Sequence, residues 1–108
     1  MSDYRSIITE VDGGVGILTL NRAQRHNAFD EELIAEITAG LRELAADSRV
    51  RVVVLSSTGR SFCAGADLNW MKRAAGYTPE ENLLDASRLA ELLMTLNELP
   101  KPTIARVQ

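Results

Sequence analysis

The period of the apolar positions changes from segment to segment along this chain, and each change marks an element. Tyr4 to Val11 alternates loosely, with Ile7 and Ile8 as its apolar pair, and Val15 to Leu20 is a second β-branched, apolar run. Between them, Asp12-Gly13-Gly14 is a turn signal, so the two runs predict a β-hairpin. Asn21 to Asn27 is polar and predicts a loop. Leu33, Ile37, Leu41 and Leu44 then recur at helical spacing. Asp30 stands where an N-cap belongs, and Glu31 and Glu32 fall in the first turn, where the positive end of a helix favours carboxylates.

Val50 to Leu55 is short and almost continuously apolar, as expected of a strand covered on both faces. The turn Ser56-Ser57-Thr58-Gly59 follows, and Leu68 to Arg73 has a short helical pattern. Gly76-Tyr77 breaks the chain. Thr78-Pro79-Glu80-Glu81 combines a capping box with proline at the first helical position. Leu83, Ala86, Leu89, Ala90, Leu93 and Leu96 predict the buried stripe of that helix. Pro100 and Pro102 end it, and Thr103 to Val107 predict another strand. The order ββ–α–β–α–α–β indicates an α/β fold with helices packed on a sheet.

The chain has 108 residues, one small domain able to bury about 65% of its unfolded surface. Its net charge of −3 gives no reason to expect nucleic acid as a partner. Cys63 is the single cysteine, so no internal disulfide can form and a reducing compartment is expected. Charge at Asp3 and Arg5 interrupts the apolar core that a signal peptide needs. No apolar stretch approaches the roughly 20 residues of a membrane span. A cytoplasmic protein with no membrane partner is the expectation.

The segment Ser61-Phe62-Cys63-Ala64-Gly65-Ala66-Asp67-Leu68 carries the chemistry. A strand that opens through small residues into a helix start exposes backbone N–H groups near the positive end of that helix. Such groups can hold negative charge developing on a carbonyl oxygen. Taken alone, the same residues also suit a compact turn that lets strand and helix pack. Cys63 reads as a small buried thiol rather than a nucleophile, because nothing orders the one histidine, His26, beside it. His26 has no companion cluster that would make it a metal ligand. Asp67 reads as a helix cap before a catalytic acid, and the pair Glu80–Glu81 belongs to a helix start.

Three segments, in order, resemble the crotonase (enoyl-CoA hydratase/isomerase) superfamily. Leu20-Asn21-Arg22-Ala23-Gln24-Arg25-His26-Asn27-Ala28-Phe29 is similar to its first CoA-binding loop, L-N-R-P-x-x-x-N-A. The strand Val52–Leu55 with Gly59 and Ser61–Leu68 resembles F-x-A-G-A-D-[LI]. Leu99-Pro100-Lys101-Pro102-Thr103-Ile104-Ala105 resembles L-x-K-P-x-I-A.

The resemblance implies a spiral of ββα turns, of which these residues are the N-terminal part, assembled as a homotrimer or dimer of trimers. It implies an acyl-CoA thioester as substrate, with no cofactor beyond the CoA that the substrate carries. The thioester oxygen would be stabilised by two backbone N–H groups, the first from Ala66. Gly65 would allow close approach of the backbone, and Asp67 and Leu68 would continue into the helix. Arg25, His26 and Ala28, with Ala64 opposite, would meet the CoA nucleotide, Arg25 as a charge-assisted phosphate donor. Arg22 and Arg25 are expected to be solvated in the absence of ligand. Trp70 and Met71 are either core or acyl-pocket lining, with the pocket preferred because they follow the donor.

Two positions depart from the family pattern: Ala23 replaces the usual proline, and His26 stands where a basic residue is common. The second oxyanion glycine and the two hydratase glutamates lie downstream of the Lys101–Ala105 motif and have no counterpart here. Together with the ending at Gln108, directly after an apolar strand, this makes a truncated N-terminal piece the expectation. The implied reaction is addition of water to a 2,3-unsaturated acyl-CoA. Ala66 to Lys72 is also similar to members acting on branched, carboxylated substrates such as methylglutaconyl-CoA and carboxygeranoyl-CoA. Isomerisation, thioester hydrolysis or dehalogenation on the same enolate are alternatives, as is a non-catalytic fragment.

Overall fold

The computed structural model describes residues 3–108. Strands β1 (Ile7–Asp12) and β2 (Val15–Leu20) form the expected antiparallel hairpin, turning through Gly13 and Gly14. Helix α1 (Glu31–Ala46) crosses to β3 (Val52–Ser57), which runs parallel to β2. Two helices, α2 (Leu68–Ala74) and α3 (Pro79–Asn97), lead to β4 (Thr103–Ala105), parallel to β3. The sheet order is β1-β2-β3-β4. The α/β order read from the sequence holds, and a single 3₁₀ turn, Ala23–Arg25, interrupts the loop after β2.

Alternation builds the core. In β2 the residues Gly16, Leu18 and Leu20 are buried while Val15, Ile17 and Thr19 are half-buried. The register places Val53 beside Gly16 and Leu55 beside Leu18, so the same face of β3 meets Leu33, Ile37, Leu41 and Leu44 of α1. Close approach needs Gly40: a Cβ there would lie 2.9 Å from side-chain atoms of both Ile7 and Leu18. Asp30 accepts from the Leu33 amide as the N-cap of α1, and Thr78 with Glu81 forms the full capping box of α3. At the other end of α1, the Lys101 ammonium donates to the carbonyls of Leu44 (3.1 Å) and Asp47 (2.7 Å). A cation is favourable at this negative helix end, and it ties the segment before β4 to α1.

Two packing expectations are corrected. The third strand begins at Val52 and ends at Ser57, and only Val53 in it is fully buried. Helices cover one face of the sheet, so Val52 and Val54 on the other face are only partly buried. The buried stripe of α3 is also rotated. Leu92 is buried, and Leu89 and Leu96 pack against the core, whereas Leu83 is 69% and Leu93 is 54% exposed. Ala86 and Ala90 are exposed too. This helix has apolar residues on two faces, and contact with α1 selects the Leu89–Leu92–Leu96 face. The last strand is shorter than Thr103–Val107; Ile104 and Val107 are exposed. Among the described residues, no helix is long and apolar enough to cross a membrane.

Candidate functional site

The loop after β2 and the segment before α2 are laced together by backbone hydrogen bonds. Ala64 N–H donates to His26 O (3.1 Å), Phe29 N–H to Gly65 O (2.6 Å), and Asp67 N–H to Phe29 O (2.7 Å). The last two bonds make Phe29 and Ala66 an isolated parallel bridge. In that pattern Ala66 turns its own N–H and C=O away from Phe29. No described residue accepts from the Ala66 N–H or from that of Gly65. An exposed, unpaired backbone donor costs little because water can reach it, and it is available to a ligand. Gly65 has φ +99°, a region that a side chain strains against. A Cβ there would meet nothing within 4 Å, so conformation, not crowding within the chain, requires glycine.

Asn27 holds this arrangement from behind. It is fully buried with φ +55°, which asparagine tolerates better than most residues. Its Nδ2 donates to the carbonyls of Thr58 (2.8 Å) and Ser61 (2.9 Å), and its Oδ1 accepts from the Arg22 amide (2.8 Å). In the sequence, Asn27 stands within the loop motif and nothing beside it marks this hydrogen-bonding role. For its backbone, two adjacent residue types that tolerate positive φ, His26 (φ +53°) and Asn27 itself, were the available signal.

Asp67 is 6% exposed. Its Oδ1 accepts from the amides of Asn69 (2.9 Å) and Trp70 (3.1 Å), capping α2 as expected. Those two amides are therefore closed to a ligand, and the free donors lie one and two residues ahead of the cap. Its Oδ2 accepts from Arg25 Nη1 at 2.9 Å. The Arg25 guanidinium foremost, then the Trp70 and Asn69 amides, hold the Asp67 carboxyl below the usual carboxylate range against the opposing effect of burial. Neither arginine is simply solvated: Arg22 pairs with Asp30, and Arg25, 41% exposed at its side chain, pairs with Asp67.

Between the two segments lies a recess of about 490 Å³, lined by Arg25, His26, Ala28, Ala64, Ala66, Asp67, Leu68, Asn69 and Lys72. Seven of the eight residues named from the sequence line it; Gly65 shapes the wall through its backbone instead. Asn69 and Lys72, one turn apart on α2, were missed because nothing in their spacing marks them. Trp70 and Met71 do not line it. Trp70 packs against the core with Nε1 shared between the Asp85 carboxylate oxygens (3.1 Å each), and Met71 is exposed. Cys63 is half-buried rather than buried. Arg25 and Lys72 outnumber the one carboxylate of the recess, which suits an anionic ligand although the chain carries net charge −3. No group of three His, Cys, Asp or Glu among the described residues is placed to hold a metal ion.

Comparison with known proteins gives this geometry a context. Residues 10–108 match the family model for enoyl-CoA hydratase/isomerase. The chain is 35% identical over 107 residues to a protein named probable enoyl-CoA hydratase in Mycobacterium tuberculosis, covering 99% of this chain and 41% of that protein. It is 36% identical over 102 residues to the 1,2-epoxyphenylacetyl-CoA isomerase of Escherichia coli, covering 94% and 39%. A crystal structure of an enoyl-CoA hydratase from Shewanella pealeana superposes with TM-score 0.95 at 40% identity, over 96% of this chain and 39% of that one. The chain thus spans about two fifths of the length of these relatives.

Proposed function

The chain belongs to the enoyl-CoA hydratase/isomerase, or crotonase, family, and from that membership we propose that its recess takes an acyl-CoA thioester. The Ala66 N–H polarises the thioester oxygen as negative charge develops there; a donor of this kind is worth about 3–4 kcal/mol of barrier lowering. The observation that carries this reading is the unpaired Ala66 N–H on the wall of a recess lined by cations. Arg25 and Lys72 supply positive charge for the phosphates of CoA, with the backbone and side chain of His26 beside them. The recess volume falls in the usual range of small-molecule sites.

The reaction we assign is hydration of a 2,3-unsaturated acyl-CoA, with methylglutaconyl-CoA as the narrower substrate. The similarity of Ala66–Lys72 to members acting on carboxylated substrates supports that choice. A second reading, double-bond isomerisation, rests on the comparable identity to a named isomerase. Both need a proton-transferring group. The one carboxylate lining the recess, Asp67, is engaged by Arg25 and two amides, so it is assigned no such part. A cytoplasmic protein assembled as a homotrimer or dimer of trimers completes the proposal; exposed Leu83, Leu93 and Met94 offer apolar surface for assembly. Calorimetry of the full-length protein with acetoacetyl-CoA tests the binding step, and absence of heat from a folded sample overturns it. Assay with crotonyl-CoA and methylglutaconyl-CoA then tests hydration, and assay with a 3-enoyl-CoA tests isomerisation.

A further inference from the structure

We propose that Arg25 is a positioning residue for the Ala66 N–H, acting through Asp67, and not solely a contact for ligand phosphate. The inference rests on the acyl-thioester reading of the recess. Its ground is one chain of contacts. Arg25 Nη1 holds Asp67 Oδ2 at 2.9 Å, Asp67 Oδ1 holds the first amides of α2, and the Asp67 N–H holds Phe29 O at 2.7 Å. The Ala66 N–H lies in the Gly65–Ala66 peptide plane, whose carbonyl accepts from Phe29 N–H at 2.6 Å; the Asp67 N–H closes the same bridge from the other side, so fixing Asp67 helps to fix that plane.

The pair is unlike an ordinary surface ion pair, which contributes little. Asp67 is 6% exposed, and an ionised carboxylate so placed needs a counter-charge. Arg25 supplies it from the opposite loop, 42 residues away in sequence. Without Arg25, Asp67 keeps its two amide partners but loses that charge, and the segment Gly65–Leu68 loses its one side-chain tie to the 3₁₀ turn. The guanidinium has five N–H groups, and one of them is given to Asp67. The others remain free to meet an anion, so positioning and phosphate contact are compatible in one side chain.

A nucleotide-free substrate separates the two roles. Full-length parent, Arg25→Gln and Arg25→Lys are assayed with crotonyl-CoA and with crotonyl-pantetheine, which lacks the nucleotide. Positioning requires kcat to fall about 10–100-fold on both substrates in Arg25→Gln, with partial recovery in Arg25→Lys. A loss confined to KM for crotonyl-CoA, with crotonyl-pantetheine unaffected, makes Arg25 a phosphate contact only and overturns the inference while leaving the proposed function intact. Amide hydrogen exchange gives a readout independent of turnover. In Arg25→Gln the Asn69 and Trp70 amides should exchange at least about tenfold faster and the Ala66 amide resonance should move, while the β2 amides hold their rates. Unchanged Asn69, Trp70 and Ala66 signals overturn the inference. A parent inactive on both thioesters defeats the hydration reading instead and leaves the exchange data to decide.

Discussion

Replacing Asn27 by alanine should be the most damaging single change at the recess, although Asn27 does not line it. The substitution removes three hydrogen bonds, to Thr58 O, Ser61 O and the Arg22 amide. At a net contribution near 1 kcal/mol each, their loss costs about 3 kcal/mol. Alanine must also take φ +55°, a left-handed conformation that adds about 1 kcal/mol. The expected destabilisation is therefore about 4 kcal/mol, a large share of the 5–15 kcal/mol typical of a whole domain. Thr58 and Ser61 are only half-buried, so water can satisfy part of what they lose and the figure is closer to a ceiling than a floor. Urea denaturation followed by circular dichroism measures it, provided the m-value is unchanged. Asn27→Asp is the sharper control. It keeps the acceptor for Arg22 but turns a carboxylate oxygen toward two carbonyls, so it should be nearly as damaging at neutral pH and partly recover as acid protonates it. A loss under about 1 kcal/mol for Asn27→Ala, or a neutral Asn27→Asp, would show that the two loops are held by something other than this side chain.

The remaining predictions concern the same site and the exposed faces. Gly65→Val should lower kcat/KM far more than the thermal midpoint, because its Cβ meets nothing in the chain while the strained φ displaces the Ala66 N–H; activity lost only in proportion to folded protein refutes this. The Asp67 carboxyl titrates below its unfolded value, so it stabilises the fold above about pH 4 and this contribution is lost as pH falls through the lower folded value. Asp67→Asn should therefore show a shallower loss of stability on acidification below pH 4 than the parent; parallel curves contradict the pairing. Residues 1–108 expressed alone should self-associate on size exclusion through Leu83, Leu93, Met94 and the open edge of β4. They should also fail to hydrate crotonyl-CoA, since the one recess carboxylate is engaged; a monodisperse, active monomer refutes both.

What could be read directly from the residues was whatever depends on near neighbours in the chain. The Gly13–Gly14 turn, the Asp30 and Asp67 caps and the Thr78–Glu81 capping box all act within three residues, so their partners stand beside them in the sequence. The family motifs were legible for the same reason, each being a short run of residue types. Seven of the eight residues they named line one recess.

Only the tertiary structure decided the rest. Helix α3 carries leucines on two faces, and its period is satisfied equally by either; contact with α1 chose Leu89, Leu92 and Leu96. The sequence could not show that β3 is covered on one face alone, because an apolar run reads the same beside one helical layer or two. Arg25 meets Asp67 across 42 residues, and Lys101 meets the end of α1 across 57 and 54. The first pair is set by parallel β2 and β3, which bring the loops after them to one end of the sheet, and the second by parallel β3 and β4, which bring the segments before them to the other. Residue type determined which of these groups can form a charged hydrogen bond, and chain closure in three dimensions determined with whom.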